Sequence, residues 1–284
     1  MGGLPVQAEP CDPGVASSPA DLPRAGFGGC RCINSHFMPI RYLHRLAGGR
    51  RNRTVNRQLG CVLAFVAGAV NAGGLLAVQR YTSHMTGVIS AMADNLATGG
   101  FALALAGLAA LLSFVLGASC TAILINWARR RRMYGKYALA LLLEAALLLV
   151  FGLAGANLES PRHLLVPPTV LLLCFIMGLQ NAIVTKISHA EIRTTHMTGN
   201  VTDLGIELGR LLYWNHTREA NQIHFVMANR DKLFLHAMIV SLFFVGGIAG
   251  ALAFKGFGFA ATIPISCLLA GIATPALLTD MRRA

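Results

Sequence analysis

The chain has 284 residues, of which 55% are hydrophobic and only 13% are charged, and its mean hydropathy is +0.57. Soluble globular domains carry about 25% charged residues, so this composition predicts a membrane protein. The formal net charge is +12, but the basic residues lie at the ends of apolar segments and form no patch interleaved with aromatic residues. They are therefore expected to set membrane topology, and no nucleic-acid partner is expected.

Residues 1–57 are rich in Pro, Gly, Ser and Arg and show no hydrophobic periodicity. We predict a disordered, basic cytoplasmic tail. No apolar stretch follows a charged start, so the segment is not expected to be a signal peptide. The seven cysteines are scattered without a second ligand pair, so neither a metal nor another cofactor is expected. The integral membrane domain is predicted to cover residues 58–284.

The first half of this domain contains three apolar segments long enough to cross a hydrocarbon core of about 30 Å. They are Leu59–Val78, Phe101–Asn126 and Ala138–Ala156. Between the first two lies Val88–Thr98, which is apolar but too short to span. It is expected to form a half-helix or the first turns of the next span.

The second half has the same order of segments. Pro167–Ile187, Leu233–Phe254 and Phe257–Leu278 are predicted spans, and the short segment Val201–Tyr213 follows the first of them. The sequence therefore predicts an all-α polytopic membrane protein with about six transmembrane helices.

The distribution of Lys and Arg predicts the orientation. With six spans and both termini in the cytoplasm, all but three of the 24 Lys and Arg residues lie inside, the exceptions being Arg80, Arg162 and Lys255. Cytoplasmic segments are enriched in these residues, so the pattern favours six spans. Eight spans would place the basic run 129–132 outside.

Two motifs indicate an internal repeat. Gly-x-x-Asn-Ala occurs at residues 68–72 and again at 178–182, and His-Met-Thr-Gly follows each copy, at 84–87 and 196–199. Repeat one is predicted to cover residues 58–157 and repeat two residues 166–280. An odd number of spans in each repeat makes the second enter the membrane from the opposite side. This is the inverted-repeat plan common among secondary transporters.

The motif residues are candidates for a polar site near the middle of the membrane. The threonines are expected to cap the following helices, whose positive dipole ends favour anionic groups. The asparagines supply amides, the glycines permit close approach of a backbone, and the histidines can carry protons. The predicted substrate-binding residues are Asn71, His84, Thr86, Gly87, Asn181, His196, Thr198 and Gly199.

A structural interpretation of the same residues stays open. Each asparagine can instead lock a close helix contact, and each histidine can make an interfacial hydrogen bond. Glu144 is the one acid deep within a strong span. Ionisable residues inside membranes are functional candidates by default, so a role in proton or cation coupling is predicted for it.

The motifs resemble a known family. The runs Gly-Leu-Gln-Asn-Ala at 178–182 and Arg-Thr-Thr-His-Met-Thr-Gly-Asn at 193–200 are similar to those of the YoaK-like family, which comprises bacterial integral membrane proteins catalogued as a domain of unknown function. The resemblance covers about residues 59–278. It implies a multi-pass protein of the bacterial cytoplasmic membrane and supplies no substrate.

The leading functional hypothesis is a transporter or permease for an unknown small solute or ion, in contact with the lipid bilayer. The alternative is a membrane scaffold or sensor that transports nothing. An intramembrane enzyme is the least favoured class, because no nucleophile or metal cluster accompanies the histidines, so no catalytic residue is predicted. Self-association into a homo-oligomer is compatible with the sequence.

Overall fold

The computed structural model describes residues 53–78, 81–156, 162–188, 194–213 and 227–282. In these residues the chain forms eight α-helices and one 3-10 turn and contains no β-strand, which confirms the all-α prediction for this part of the chain. The elements are α1 (Arg53–Val78), α2 (Met85–Ala97), α3 (Phe101–Arg130), α4 (Ala138–Ala156), α5 (Arg162–Ile187), α6 (Met197–Leu212), α7 (Arg230–Phe257), a 3-10 turn (Gly258–Ala261) and α8 (Thr262–Met281).

Several helices begin earlier than the sequence indicates, and α1 and α5 show the largest extensions. Helix α1 begins at Arg53, so residues 53–57 of the predicted disordered tail are helical; residues 1–52 lie outside the described residues. The side chain of Asn56 explains the extension, because its amide Nδ2 donates to the carbonyl of Ile187, 3.0 Å away on α5. Helix α5 begins at Arg162, five residues before its predicted start.

Five segments are long and apolar enough to cross a membrane, judged by length and composition. Four contain one long helix each, and the fifth is a single stretch of 52 residues that includes both α7 and α8. The segments are Thr54–Leu76, Phe101–Arg130, Ala138–Ala156, Pro168–Ile187 and Arg230–Met281. The chain is thus a multi-pass membrane protein by these criteria, whereas a count of six spans remains a prediction.

Helices α1 and α5 form the centre of the bundle. They run antiparallel, because Asn56 pairs with Ile187 while Gln180 Nε2 donates to the carbonyl of Leu63 at 3.2 Å. The two helices supply most of the largest buried side chains, among them Leu63 and Ile176. The outer face of α3, by contrast, exposes many leucines, as expected for a helix that contacts lipid.

Helix α1 packs closely against α7 through glycine. A Cβ atom added at Gly68 would lie 2.0 Å from the carbonyl oxygen of Phe243, and one added at Gly246 would lie 2.1 Å from that of Phe65. Small residues at helix interfaces let two backbones approach, and van der Waals packing then stabilises the pair. The two helices thus exchange equivalent Phe-x-x-Gly contacts.

Helix α3 packs against α5 in the same way. A Cβ atom at Gly117 would lie 2.1 Å from the carbonyl oxygen of Phe175, and one at Gly178 would lie 2.0 Å from that of Phe114. One turn further along, the hydroxyl of Thr121 donates to the carbonyl of Leu179 at 3.1 Å. Four helices therefore carry a Phe-x-x-Gly sequence at their closest contact, a signal that the sequence analysis missed.

The third helix pair is α4 with α8. A Cβ atom at Gly152 would lie 2.2 Å from the Thr262 hydroxyl, and one at Gly135, just before α4, would lie 2.8 Å from the Cβ of Ala276. The order of these contacts makes α4 and α8 antiparallel. The backbone N–H of Gly135 also donates to the Asp280 carboxylate at 2.9 Å, which fixes one end of the pair.

Candidate functional site

The His-Met-Thr-Gly run of the first motif begins beside the interior of α1 and not beyond its last residue. The hydroxyl of Ser83 donates to Oδ1 of Asn71 at 2.8 Å. Asn71 lies seven residues before the last residue of α1, Val78, which is about 10 Å along a helix axis. The chain therefore turns back along α1 before α2 begins at Met85, so the N-terminus of α2 lies beside α1 and short of its end.

The second motif is held in the same manner. The amide Nδ2 of Asn181 donates to Oγ1 of Thr195. Asn181 lies six residues before Ile187, the last residue of α5, or about 9 Å along the axis. In both copies the motif asparagine holds the hydroxyl residue that directly precedes the motif histidine.

Each motif histidine packs over the motif glycine. His84 and His196 occupy the N-cap positions of α2 and α6, and neither makes a side-chain capping bond. A Cβ atom added at Gly87 or Gly199 would lie 2.2 Å from the ring of the preceding histidine. A side chain at either position would therefore force the histidine ring to move.

The prediction that the motif threonines cap the helices is wrong. Thr86 and Thr198 are the second residues of α2 and α6, two residues past the N-cap, and both are exposed. The N–H groups of the first turn of an α-helix have no partner within the helix. At α2 and α6 no N-cap side chain accepts a hydrogen bond from these N–H groups.

The two motifs lie at different depths. The α1–α5 hydrogen bonds pair residue 63 with 180 and residue 56 with 187, so Asn71 is level with Leu172. Leu172 is nine residues from Asn181, a separation of about 13 Å along the axis. The eight predicted substrate-binding residues therefore form two groups.

A pocket of about 640 Å³ lies beside the first motif, between α2, α3 and α5. His84 and Gly87 line it, whereas the other six predicted substrate-binding residues do not. Its walls are largely apolar, with Val88 and Met92 from α2 and Cys174 from α5, and no Asp, Glu, Lys or Arg lines it. The volume falls within the range of about 300–1,000 Å³ that is usual for small-molecule sites.

Thr82 also lines this pocket, and the sequence analysis missed it. The residue is 2% exposed, and its buried hydroxyl has no hydrogen-bond partner among the described residues. Thr194, two residues before His196 as Thr82 is before His84, is also buried, and its hydroxyl likewise has no partner in the described ranges. The shared Thr-x-His order was the signal available in the sequence.

Beside the second motif, buried polar side chains are present instead. Oδ1 of Asn200 lies 3.2 Å from Nδ1 of His236, and both residues are buried. Asn200 corresponds to Val88, because each directly follows the glycine of its motif. His236 corresponds to Gly107, because each lies ten residues before the close-contact glycine of its helix, Gly246 in α7 and Gly117 in α3. The positions that line the pocket in the first half thus hold an amide and an imidazole in the second.

Two acidic residues of α6, Asp203 and Glu207, follow Asn200 in the chain. Asp203 Oδ2 lies 3.9 Å from Nε2 of His236. Glu207 is buried and accepts hydrogen bonds from Arg210 Nη1 at 2.9 Å and from the backbone N–H of Asn229 at 2.7 Å, so it ties α6 to the start of α7. Within the described ranges, no group of three or more His, Cys, Asp or Glu side chains is placed to hold a metal ion.

Glu144 lies on α4 and is fully buried. Neither of its carboxylate oxygens has a hydrogen-bond partner in the described part of the chain. An ionised carboxylate without a partner in an apolar interior is very costly, and even a neutral polar group there costs free energy. Packing therefore gives no reason for an acid at this position.

The helices and their apolar segments define a multi-pass α-helical membrane protein. Residues 59–274 match the model of a family described as a protein of unknown function, DUF1275, and the chain belongs to this family. It is 28% identical over 194 residues to the UPF0700 transmembrane protein YoaK of Bacillus subtilis (strain 168). The matched region covers 68% of this chain and 81% of that protein. These matches confirm the YoaK-like resemblance. No solved structure matches the chain.

Proposed function

We propose that the protein is a transporter or permease for a small solute, built from two inverted repeats in a bacterial cytoplasmic membrane. The observation that carries the proposal is the pocket of about 640 Å³ beside the first motif, where α2 begins short of the end of α1 and where Thr82, His84 and Gly87 are among the lining residues. Secondary transporters typically bind substrate where a helix is interrupted at the interface of two repeats. The function proposed is not enzymatic.

Matching contacts in the two halves support the inverted repeats. The α1–α7 and α3–α5 pairs make equivalent Phe-x-x-Gly contacts, and each motif asparagine pairs with the hydroxyl before the histidine. The central pair α1–α5 and the pair α4–α8 are each antiparallel, as expected of elements exchanged by a two-fold axis in the membrane plane.

Helix length supports six spans. The apolar stretch from Arg230 to Met281 has 52 residues, which as one straight helix would be about 78 Å long. A hydrocarbon core is about 30 Å thick. The 3-10 turn at Gly258–Ala261 and the positive φ of 59° at Gly258 interrupt it, so α7 and α8 each cross once. Both termini then lie in the cytoplasm, as the Lys and Arg distribution favours.

Glu144 is the proposed coupling residue. A carboxyl group that is buried without a partner gains or loses its proton only when water or another proton carrier reaches it. Movement of α4 against α8 during transport would provide this access, and proton relays in transporters use such acids. The full burial of Glu144 and the lack of a partner for its carboxylate within the described part of the chain support this role.

A membrane scaffold or sensor is the second candidate, because one observation favours it. The side-chain amides of Asn71 and Asn181 pair with Ser83 and Thr195, which precede α2 and α6, and both hydrogen bonds are part-buried. These two asparagines therefore have a structural role whether or not the protein transports a solute. A homo-oligomer fits either function.

The test is solute-driven proton movement in liposomes. The purified full-length protein would be reconstituted with a pH-sensitive dye inside, and a panel of organic acids, amines, sugars and inorganic ions would be added outside. We expect one solute class to change the internal pH, and we expect Glu144→Gln to abolish that change while it preserves binding. Glu207→Gln is the matched control, because Glu207 is a buried acid with partners outside the pocket.

Cysteine labelling at the motifs provides a second readout. In a cysteine-free background, single cysteines at the exposed positions Thr86 and Thr198 would be tested with impermeant and permeant reagents. Inverted repeats predict labelling of position 86 from outside and of position 198 only with the permeant reagent. Labelling of both positions from one side, with no solute response in liposomes, would instead favour the scaffold.

A further inference from the structure

We infer that α4, α5 and α8 form a site for one sodium ion, with Glu144, Gln180 and Ser266 as its ligands. The inference rests on the proposed function, since it names the ion that the proposed coupling residue binds. It depends on buried oxygen atoms that lack a donor, on their common depth in the bundle and on the charge of their surroundings.

Three polar side chains of these helices are buried with oxygen atoms that have no hydrogen-bond partner in the described part of the chain. The atoms are Oε1 and Oε2 of Glu144, Oε1 of Gln180 and Oγ of Ser266. Glu144 and Gln180 are 0% exposed, and Ser266 is 2% exposed. The amide Nε2 of Gln180 donates to the carbonyl of Leu63, so only its oxygen is left for another group. Buried oxygens without a partner are costly, and one cation can satisfy several of them at once.

Glu144 and Gln180 lie at the same depth. Helices α4 and α5 are joined by residues 157–161, while the Tyr137 hydroxyl, just before α4, donates to the carbonyl of Lys186 near the end of α5 at 3.2 Å. The two helices are therefore antiparallel. Glu144, seven residues after Tyr137, is level with residue 179, seven residues before Lys186. Seven residues make about two helical turns, so Glu144 lies on the face of α4 that Tyr137 directs towards α5.

Ser266 reaches this depth from α8. Gly152 is close to Thr262, and Gly135 is close to Ala276. Glu144, eight residues before Gly152 and nine after Gly135, is thus level with residues 267–270 of α8. Ser266 lies within about one turn of that level, on the side of α8 that Thr262 presents to α4, because residues four apart share a helix face. The four oxygen atoms thus come from three helices at one level of the bundle.

The surroundings of Glu144 contain no compensating charge. Within about one turn of its depth, the titratable side chains of α1, α3, α5 and α8 are the thiols of Cys61, Cys120 and Cys267, and these stretches contain no Lys, Arg or His. One positive charge neutralises one buried carboxylate, whereas a divalent cation would leave an excess charge in an apolar interior. A cation binds the ionised carboxylate, so its entry displaces the proton of Glu144. Without a cation, the carboxyl group is left without a partner.

The ligand atoms select the kind of cation. Carboxylate, amide and hydroxyl oxygens suit hard cations, whereas softer metals prefer sulfur and imidazole ligands. Potassium filters surround the ion with rings of free backbone carbonyls. In α4, α5 and α8 the backbone carbonyls at this depth lie within helices and accept intrahelical hydrogen bonds. A few side-chain oxygens therefore favour the smaller sodium ion.

The site occurs once in the chain. Val70 has the position in the first motif that Gln180 has in the second, because each directly precedes the motif asparagine, and Val70 is buried. Helix α8, which corresponds to α4 in the second repeat, has Asp280 near its end as its one acid. We therefore expect one sodium ion in each chain.

The test is direct binding of radioactive sodium to the full-length protein in nanodiscs. The label would be displaced with unlabelled sodium, potassium or choline chloride. We expect saturable binding of one ion per chain, with sodium displacing the label about tenfold or more better than potassium or choline. Absence of saturable binding, or equal displacement by potassium, would overturn the inference.

Two variant pairs locate the ion. Glu144→Gln should abolish saturable binding, and Glu207→Gln should preserve it. Ser266→Ala should weaken sodium about fivefold or more, because it removes one ligand oxygen. Thr262→Val should have no effect, because the hydroxyl of Thr262, also buried on α8, already donates to the carbonyl of Phe259 at 2.8 Å. Identical binding by both members of each pair would exclude these ligands.

Thermal unfolding gives an independent readout. A ligand that binds only the folded protein raises the midpoint of unfolding. Sodium chloride, compared with choline chloride at the same concentration, should raise the midpoint of the native chain but not that of Glu144→Gln, and Gln180→Leu should reduce the shift. Equal shifts in the native chain and in Glu144→Gln would contradict the site. If Gln180→Leu does not fold, Ser266→Ala provides the same comparison without loss of the bond to Leu63.

Failure of this inference is distinguishable from failure of the proposed function. Sodium binding that depends on Glu144, without solute uptake into liposomes, would leave the cation site and remove the transporter. Solute uptake by a protein that binds no sodium would preserve the transporter and remove the cation site.

Discussion

The closest packing in this protein depends on single glycines at four equivalent positions. At Gly68 the nearest atom to an added Cβ is a backbone oxygen 2.0 Å away, and a backbone cannot move aside as a flexible side chain can. Gly271 on α8 has no atom within 4 Å of its added Cβ. Close packing therefore excludes a side chain at Gly68 but not at Gly271, so alanine at the two positions should affect stability differently.

Gly68→Ala should lower the free energy of unfolding by about 2 kcal/mol or more, because α1 and α7 must move apart to admit the methyl group. Gly271→Ala should leave stability unchanged or raise it by up to about 1 kcal/mol, because alanine favours helix over glycine. Thermal unfolding in one detergent would compare both variants with the native chain. Equal stability of the two variants would contradict the close packing of α1 and α7.

The two buried glutamates are a contrasting pair. Glu207 accepts hydrogen bonds from Arg210 and Asn229, whereas both Glu144 oxygens lack a partner among the described residues. Removal of a buried polar group that has no partner relieves a desolvation cost, but removal of a bonded one leaves its partners unpaired.

Glu144→Leu should therefore raise the free energy of unfolding by about 1 kcal/mol or more, and Glu207→Leu should lower it by about 1–3 kcal/mol. Chemical unfolding in mixed micelles would measure both. A destabilised Glu144→Leu protein would show that the carboxyl group has a partner in the folded state and would remove the basis for its coupling role.

At the scale of elements, each short motif helix is attached to the long helix before it by one side-chain hydrogen bond. Ser83 to Asn71 serves α2, and Thr195 to Asn181 serves α6. Each bond sets the depth at which the short helix begins. For α2 this depth brings Gly87 and His84 to the pocket.

A double-mutant cycle tests the first of these bonds. Asn71→Ala and Ser83→Ala should show a coupling free energy of about 1 kcal/mol, the usual net contribution of one hydrogen bond. Asn71→Ala with Thr98→Ala, which lies at the other end of α2, is the control and should be additive. Additive effects for Asn71 and Ser83 would mean that α2 is held at its depth by packing alone.

At the scale of the whole molecule, the number of spans decides which side of the membrane each motif approaches. The exposed Lys255 near the end of α7 discriminates between the alternatives. If α7 and α8 each cross the membrane, this residue lies in the external loop. If Arg230–Met281 formed one span, it would lie near the bilayer centre.

A single cysteine at Lys255 should react with an impermeant maleimide in intact cells, as should one at Thr98, because both belong to external turns in the six-span topology. A single cysteine at Arg131 should react only after permeabilisation, because the six-span topology places this basic run on the cytoplasmic side. Protection of position 255 in both conditions would exclude separate spans for α7 and α8.

The sequence by itself determined the membrane class, the family and most helix positions. Apolar runs with few charges predict helices in a membrane because only intrahelical hydrogen bonds satisfy the backbone there. Helix α4 has the predicted bounds, Ala138–Ala156. The repeated motifs also identified His84 and Gly87, which line the pocket.

Only the tertiary structure decided which polar groups are paired and where space remains. Asn71 and Asn181 are each bonded to a hydroxyl brought back along its helix, while the less conspicuous Thr82 lines a pocket and its hydroxyl has no partner among the residues that the structure describes. Hydrogen bonding and cavities depend on how side chains from separate helices meet. Local sequence determines where a helix forms, but the packing of α2, α3 and α5 determines what the first motif can bind.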